Sequence, residues 1–369
     1  MRLTSITTIP VALPFRERYV TATGSLEARE MVLLRIESED GFAGWGDAVP
    51  LSLRNGTPLA AVRNELESTC RPVLERAAIE LAEAPAESGA SLGSVLAACA
   101  GAGAGPQAMA AVEIALLDLV GHVHGVPAWV VIGAPAARRV ECNGTLGGGE
   151  PEKVAAAAEG LVASGFTTLK VKVGCGDDLG RMRAVRESCG EGVELRIDAN
   201  GAWGVEEAEV SLAELEAVGL QLAEQPCSSA EELAELRRRV AVPIVADESI
   251  ASEADAEQVA ALGACDAATL KLAKVGGVRA ALRIAARIPS YLSSALDSPL
   301  GIAAAVHAAQ ALPSGGFAHG LAHGLATSGL FADNVADDVD LQGPGIEPPV
   351  GPGLGVEVDE QAVERLRIR

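Results

Sequence analysis

The chain has 369 residues, 49% hydrophobic but only 3% aromatic, and a formal charge of −21. That length is ample for two domains or one large barrel with a smaller companion, and so acidic a chain argues against nucleic acid or an anionic membrane as partner. Seven scattered cysteines with no CxxC pair exclude a disulfide framework and a thiolate zinc site, and fit a reducing cytoplasm.

The N-terminus, MRLTSITTIPVALPF, has no long apolar core of the kind a signal peptide needs, so none is expected. TSITTIPVAL and MVLLRIES read as strands, the second ending at the turn signal EDG, and GFAGWGDAVP reads as the next strand of a hairpin. Residues 57–82 and 107–124 have helical periodicity, with Pro58 and Pro106 near their starts. Between them, 84–105 is rich in Ala, Gly and Ser and reads as a loop around a short helix. Strands followed by helices give an α+β unit over residues 1–130.

From about residue 139 the pattern alternates. RVECNGTL, TTLKVKVG, VELRIDAN, LQLAEQP, VPIVADES, DAATLKLAKVGG and YLSSALDS read as strands, each followed by a helical segment, and GGFAHGLA reads as a closing strand. Strand–helix alternation at this spacing predicts a parallel sheet, and eight strands would close a barrel. The open doubly wound sheet is the competitor, but no Gly-rich nucleotide loop follows the first strand. The fold expected is α/β: a (β/α)7β barrel over residues 131–340, with a capping domain of residues 1–130 completed by the tail 341–369. No uncharged apolar run reaches membrane-spanning length.

Of 29 basic residues only five are Lys: 153, 170, 172, 271 and 274. Lys, unlike Arg, shifts its pKa readily when buried and serves as a base. Lys170 and Lys172 share one face of their strand, while Leu169, Val171 and Val173 point to the other. Mutual repulsion and burial are expected to depress their pKa values. Reading the C-terminal ends of the following strands gives Asp198, Glu224, Asp247 with Glu248, and Lys271. These stand one βα unit apart on the rim where barrel active sites lie. Each acid alone would be read as a helix cap; three converging at one mouth need a cation, and oxygen-only ligation favours a hard ion such as Mg²⁺. A base beside a divalent ion suits removal of a proton next to a carboxylate, because the charge that develops on the carboxylate oxygens is stabilised. Lys274 is as readily solvated as functional, and His319 and His323 read as loop or packing residues.

At this point the chain resembles the enolase superfamily, muconate-lactonizing subgroup. The resemblance rests on DGFAGWGDAVP, AVEIALLDLVGHVHGVP, LKVKVG, RIDANGAW, EQP, ADES and LKLAKVGG, in that order along nearly the whole chain. It implies that Asp198, Glu224 and Asp247 hold one Mg²⁺, with Mn²⁺ as an alternative. It implies Lys172 as the base, Lys170 as its support and Lys271 as the lysine of the opposite face, with Asn200 and Glu248 behind them. Asp47 stands where the family often has Glu. SSALDSPLGIAAAVHAAQALP and EQPCSSAEELAELRRRVAVP are similar to o-succinylbenzoate synthases of the menaquinone pathway. DSPLG replaces their more usual acidic-Thr-Ser pattern. The similarity implies β-elimination of water from a small-molecule carboxylate, with Ser294 as a candidate for binding that carboxylate. The same site would serve an N-acylamino acid racemase, a dipeptide epimerase or a muconate-type cycloisomerase. A Schiff-base aldolase using Lys271 is the rival from another class, and a non-catalytic binding protein the last; neither accounts for the three acids. The sequence leaves a homo-oligomer open.

Overall fold

The computed structural model describes residues 1–21, 24–51, 56–337 and 339–369. Three antiparallel strands open the chain: β1 (Leu3–Thr21), β2 (Gly24–Ser38) and β3 (Ala43–Ala48). The first two are longer than the sequence suggested. Residues 16–30 form largely the tip of their hairpin, with residues 22 and 23 outside the described residues.

Three helices follow: α1 (Leu59–Asn64), α2 (Arg71–Arg76) and α3 (Gly89–Gly101). A π-helical turn, Glu65–Cys70, joins the first two. The helical run expected over 57–82 therefore stops at Arg76. Ala77 turns extended, and Ala78 pairs with Arg2 beside the N-terminal strand. The Ala/Gly-rich stretch 84–105, expected to be mostly loop, holds the 13-residue α3, which buries Leu92, Val95, Leu96 and Cys99. Four apolar side chains on one face offset the helix-weakening glycines.

Helix α4 (Pro106–His124) is apolar and long enough to cross a membrane by composition, yet most of it is buried in the fold. Glycine permits its close approach to β3: a Cβ on Gly46 would lie 2.2 Å from the Ala111 carbonyl oxygen, and one on Gly44 2.2 Å from that of Ala115. Asp118 of α4 accepts from Trp45 N–H of β3 (2.8 Å) and Leu354 N–H of the tail (2.7 Å). The short α5 (Ala128–Ile132) completes this part of the chain.

The second part begins with β4 (Val140–Glu141) and β5 (Gly144–Leu146), followed by α6 (Pro151–Ala163), β6 (Thr168–Lys172), α7 (Asp178–Cys189), β7 (Glu194–Asp198) and α8 (Val205–Glu214). It continues through β8 (Leu220–Glu224), α9 (Ala230–Arg237), β9 (Ile244–Ala246), α10 (Glu253–Leu262), β10 (Ala267–Leu270) and α11 (Leu272–Val275). Then come α12 (Val278–Ala285), β11 (Ser290–Leu292), α13 (Pro299–Ala309), β12 (Gly345–Ile346) and α14 (Glu360–Leu366). Strands β5 to β11 form one parallel seven-stranded sheet in sequence order, as right-handed βα repetition dictates. Their outward residues are aliphatic. Leu169 and Val171 of β6, and Val173 just after it, are fully buried beneath the helices, each contributing roughly 2 kcal/mol.

Two expectations are corrected here. GGFAHGLA forms no strand; closure is made just beyond it by residues 323 and 324. His323 exchanges backbone hydrogen bonds with Glu141 and Asn143 (2.7 and 2.8 Å), while Gly324 does so with Leu292 and Ser294 (2.9 Å each). Glycines flanking this segment favour turns over a longer strand. Nor is DAATLKLAKVGG a strand throughout: it ends at Leu270, and Lys271 opens the one-turn α11.

Candidate active site

Strand register assembles the site. Lys172 of β6 lies beside Asp198 of β7, which lies beside Glu224 of β8, all at the C-terminal ends of their strands. Asp247 directly follows β9, and Gln225 Oε1 accepts its N–H at 2.8 Å. Strands stand about 4.8 Å apart, and one ligand atom from each of Asp198, Glu224 and Asp247 falls within 4.8 Å of the others, all three residues buried. Asn200 (φ 49°), Gln225 (φ 39°) and Leu296 (φ 65°) hold left-handed backbone on the same rim. Such conformations are uncommon for non-glycine residues and cluster where a site over-determines them.

The lysines flank the acids. Lys172 Nζ donates to Asp198 Oδ2 (2.6 Å) and Asn200 Oδ1 (2.9 Å). Lys170 Nζ bridges Asp198 Oδ2 (3.2 Å) and Glu224 Oε1 (2.9 Å). From the other flank Lys271 Nζ donates to Asp247 Oδ2, and Lys274 Nζ to Asp247 Oδ1 (2.6 Å) and to its backbone oxygen. Asn200 Nδ2 donates to Glu248 Oε1 (3.0 Å).

The expected depression of the lysine pKa is not found at Lys170. Burial pushes Lys170 down, but Glu224 and Asp198 together outweigh it and hold it well above the usual value. For Lys271, Asp247 and Glu248 likewise outweigh burial. Burial raises Asp198, yet Lys172, Lys170 and Lys271 bring it well below the ordinary carboxylate range; Lys271 and Lys274 do the same for Asp247. Glu224 is raised, burial prevailing over Lys170. At Lys170 the facing acids decide the sign.

Ser294 lines the cavity, and its Oγ accepts from Leu296 N–H (2.8 Å) and Asp297 N–H (3.0 Å), shaping the turn after β11. His323 is half-buried; its Nδ1 accepts from Leu292 N–H (3.0 Å), and desolvation pushes it down to about 4. Asp47 of β3 reaches the barrel, accepting from Ser298 N–H (2.9 Å) and Oγ (2.6 Å). Burial, then the charge of Asp297, pushes it up to about 7.

Sequence reasoning left Lys274 undecided and missed Thr269, Tyr291 and Arg29. Lys274 stands three residues after Lys271, one helical turn on, a spacing that becomes a signal only once α11 is recognised. Thr269 stands two residues before Lys271 on a strand, so alternation could have found it. Arg29 of β2 is buried against the cavity, donates from Nη2 to Ala295 O (2.8 Å), and is pushed down to about 10 by burial.

The family "Mandelate racemase / muconate lactonizing enzyme, N-terminal domain" matches residues 3–133, and "Enolase C-terminal domain-like" matches residues 153–362. The L-Ala-D/L-Glu epimerase of Bacillus subtilis is 31% identical over 292 residues, 77% of each chain. The o-succinylbenzoate synthase of Thermobifida fusca is 44% identical over 156 residues, 41% of this chain and 48% of its own. In structure, the dipeptide epimerase of Enterococcus faecalis, complexed with Mg and the dipeptide L-Leu-L-Tyr, superposes with a TM-score of 0.87 at 28% identity, covering 97% of this chain and 100% of that one. With both halves matched by the family and a relative aligned along most of its length, this chain belongs to the enolase superfamily, in the mandelate racemase/muconate lactonizing enzyme family.

Proposed function

We propose that the protein removes a proton from the carbon next to a carboxylate and then expels water from the neighbouring carbon, as an o-succinylbenzoate synthase does. In this reading residues 1–130 and 341–369 cap the barrel of residues 131–340. The observation that carries it is the charge of the cavity, about 400 Å³ in volume. Arg29, Lys170, Lys172, Lys271 and Lys274 line it, and Glu248 is the one carboxylate among the described lining residues. Such a lining suits a substrate with two carboxylates. A dipeptide's ammonium would face these cations, with Glu248 as its one acidic partner there.

The donor set fits a hard divalent cation: three buried carboxylates whose oxygens converge within 4.8 Å. Asp198, Glu224 and Asp247 would hold Mg²⁺ or Mn²⁺, which when bound supplies positive charge to the substrate carboxylate as its α-proton leaves. The chain's own groups do the rest. Lys172 takes the proton on one face and returns it to the departing hydroxyl, and Asn200 orients its ammonium. Lys271 keeps its charge on the opposite flank, steadying the electron-rich ring. Arg29 meets the second carboxylate near Ala295, and the apolar lining (Leu51, Ala251, Leu296) holds the ring.

Racemisation of N-acylamino acids is the second reading, favoured by lysines on both flanks, since one can deprotonate while the other reprotonates. The two part in D₂O with Mg²⁺, given a hydroxy-cyclohexadiene dicarboxylate and N-succinylamino acids in turn. A dehydrated aromatic product supports the synthase. Deuterium entering both enantiomers of an N-succinylamino acid, with no turnover of the dicarboxylate, refutes it in favour of the racemase.

A further inference from the structure

We propose that Tyr291 is a positioning residue for Glu224, making it a one-oxygen metal ligand by holding its second oxygen out of the cation site. This rests on the reading of the acidic triad as a divalent-cation site.

Glu224 is fully buried, and its two oxygens have different surroundings. Oε2 accepts from the Tyr291 hydroxyl at 2.9 Å and from Thr269 Oγ1 at 3.1 Å. Oε1 accepts from Lys170 Nζ at 2.9 Å, and the same ammonium lies 3.2 Å from Asp198 Oδ2. A shared partner places Oε1 on the side of Asp198, and two converging hydroxyls tie Oε2 to the wall formed by β10 and β11. A free carboxylate turns about its last torsion and offers a cation one oxygen or both. Here rotation would break two hydrogen bonds to a charged acceptor, stronger than bonds between neutral groups.

The tyrosine is itself fixed. It is 1% exposed, and Arg196, fully buried, places its guanidinium carbon 5.2 Å from the ring centroid. Arg196 is anchored by Nε to Gln221 Oε1 (2.6 Å) and by Nη1 to Ala322 O (2.7 Å). Packing therefore leaves the ring no alternative position, and its hydroxyl finds its acceptor on a triad carboxylate. Groups that orient a ligand from behind commonly change metal affinity 10- to 100-fold when removed.

The test is Mn²⁺ binding to chelator-treated full-length protein, read by electron paramagnetic resonance without turnover. Tyr291→Phe keeps the ring and is expected to raise the Mn²⁺ Kd about 10- to 100-fold. The rise should shrink to under about threefold when Tyr291→Phe is made in Glu224→Gln, because the tyrosine acts through that carboxylate. Thr269→Val should weaken binding in the same direction, and serves if Tyr291→Phe does not fold. An unchanged Kd overturns the proposal, as does an equal loss in the Glu224→Gln background, which would mark a general structural role. Wild type that binds no Mn²⁺ overturns the cation reading, and this proposal with it.

Discussion

Glu113→Gln should flatten the pH dependence of stability. Glu113 lies on α4, is 1% exposed, and reaches the segment that follows Lys271 and Lys274. Its two oxygens accept from Arg279 N–H at 3.2 Å each, and Arg279 Nε lies 3.1 Å away. Burial prevails over these contacts and raises the carboxyl from 4.5 to about 7. Between those values the folded protein holds a proton that the unfolded chain has lost. The stabilisation is thus fully present below pH 4.5 and is lost as pH rises through 7. That difference amounts to about 3 kcal/mol, most of which falls between pH 5 and 8. Glutamine resembles the protonated acid and does not titrate. Urea unfolding of wild type and variant, followed by tryptophan fluorescence at pH 5, 6, 7 and 8, should show wild type losing that much more stability than the variant. Parallel profiles would refute the reasoning.

Gly46→Ala should push α4 off β3, because its Cβ would sit 2.2 Å from a backbone oxygen; overpacking of this kind costs about 1–3 kcal/mol, and an unchanged Tm would contradict it. Arg29→Leu should raise KM about tenfold or more for a dicarboxylate but not for a monocarboxylate analogue, a charge-assisted bond contributing roughly 1.5–3 kcal/mol; equal KM changes would place Arg29 away from the second carboxylate. Asp247→Asn leaves Lys271 and Lys274 without their nearest counter-charge and should destabilise the protein by about 3–5 kcal/mol in chemical unfolding. A loss under about 1 kcal/mol would show that the pairing matters little.

Much of the site was legible because strand geometry is periodic. Alternation put Lys170 and Lys172 on one face, and the 23- to 26-residue steps between Asp198, Glu224 and Asp247 matched one βα unit each. The register of β6, β7 and β8 then set Lys172, Asp198 and Glu224 in one row. What stayed hidden depends on groups distant in sequence. Tyr291 meets Glu224 across 67 residues, and Arg29 meets Ala295 across 266. No local pattern encodes either meeting. Helix α3 was obscured by its glycines, whose poor helix propensity is offset by packing. The closing segment was misplaced because two residues, not a strand, complete the ring. The shift at Lys170 was misjudged because the acids facing it, Asp198 and Glu224, stand on other strands.

In the proposed reaction Lys172 takes a proton from carbon beside a divalent-cation site. Its most direct test is deuterium incorporation from D₂O at the substrate's α-carbon, with saturating Mg²⁺, comparing wild type with Lys172→Ala of unchanged far-UV circular dichroism. Exchange is expected in wild type, with a loss of at least about 10²-fold in the variant. Exchange continuing at the wild-type rate in Lys172→Ala would contradict it.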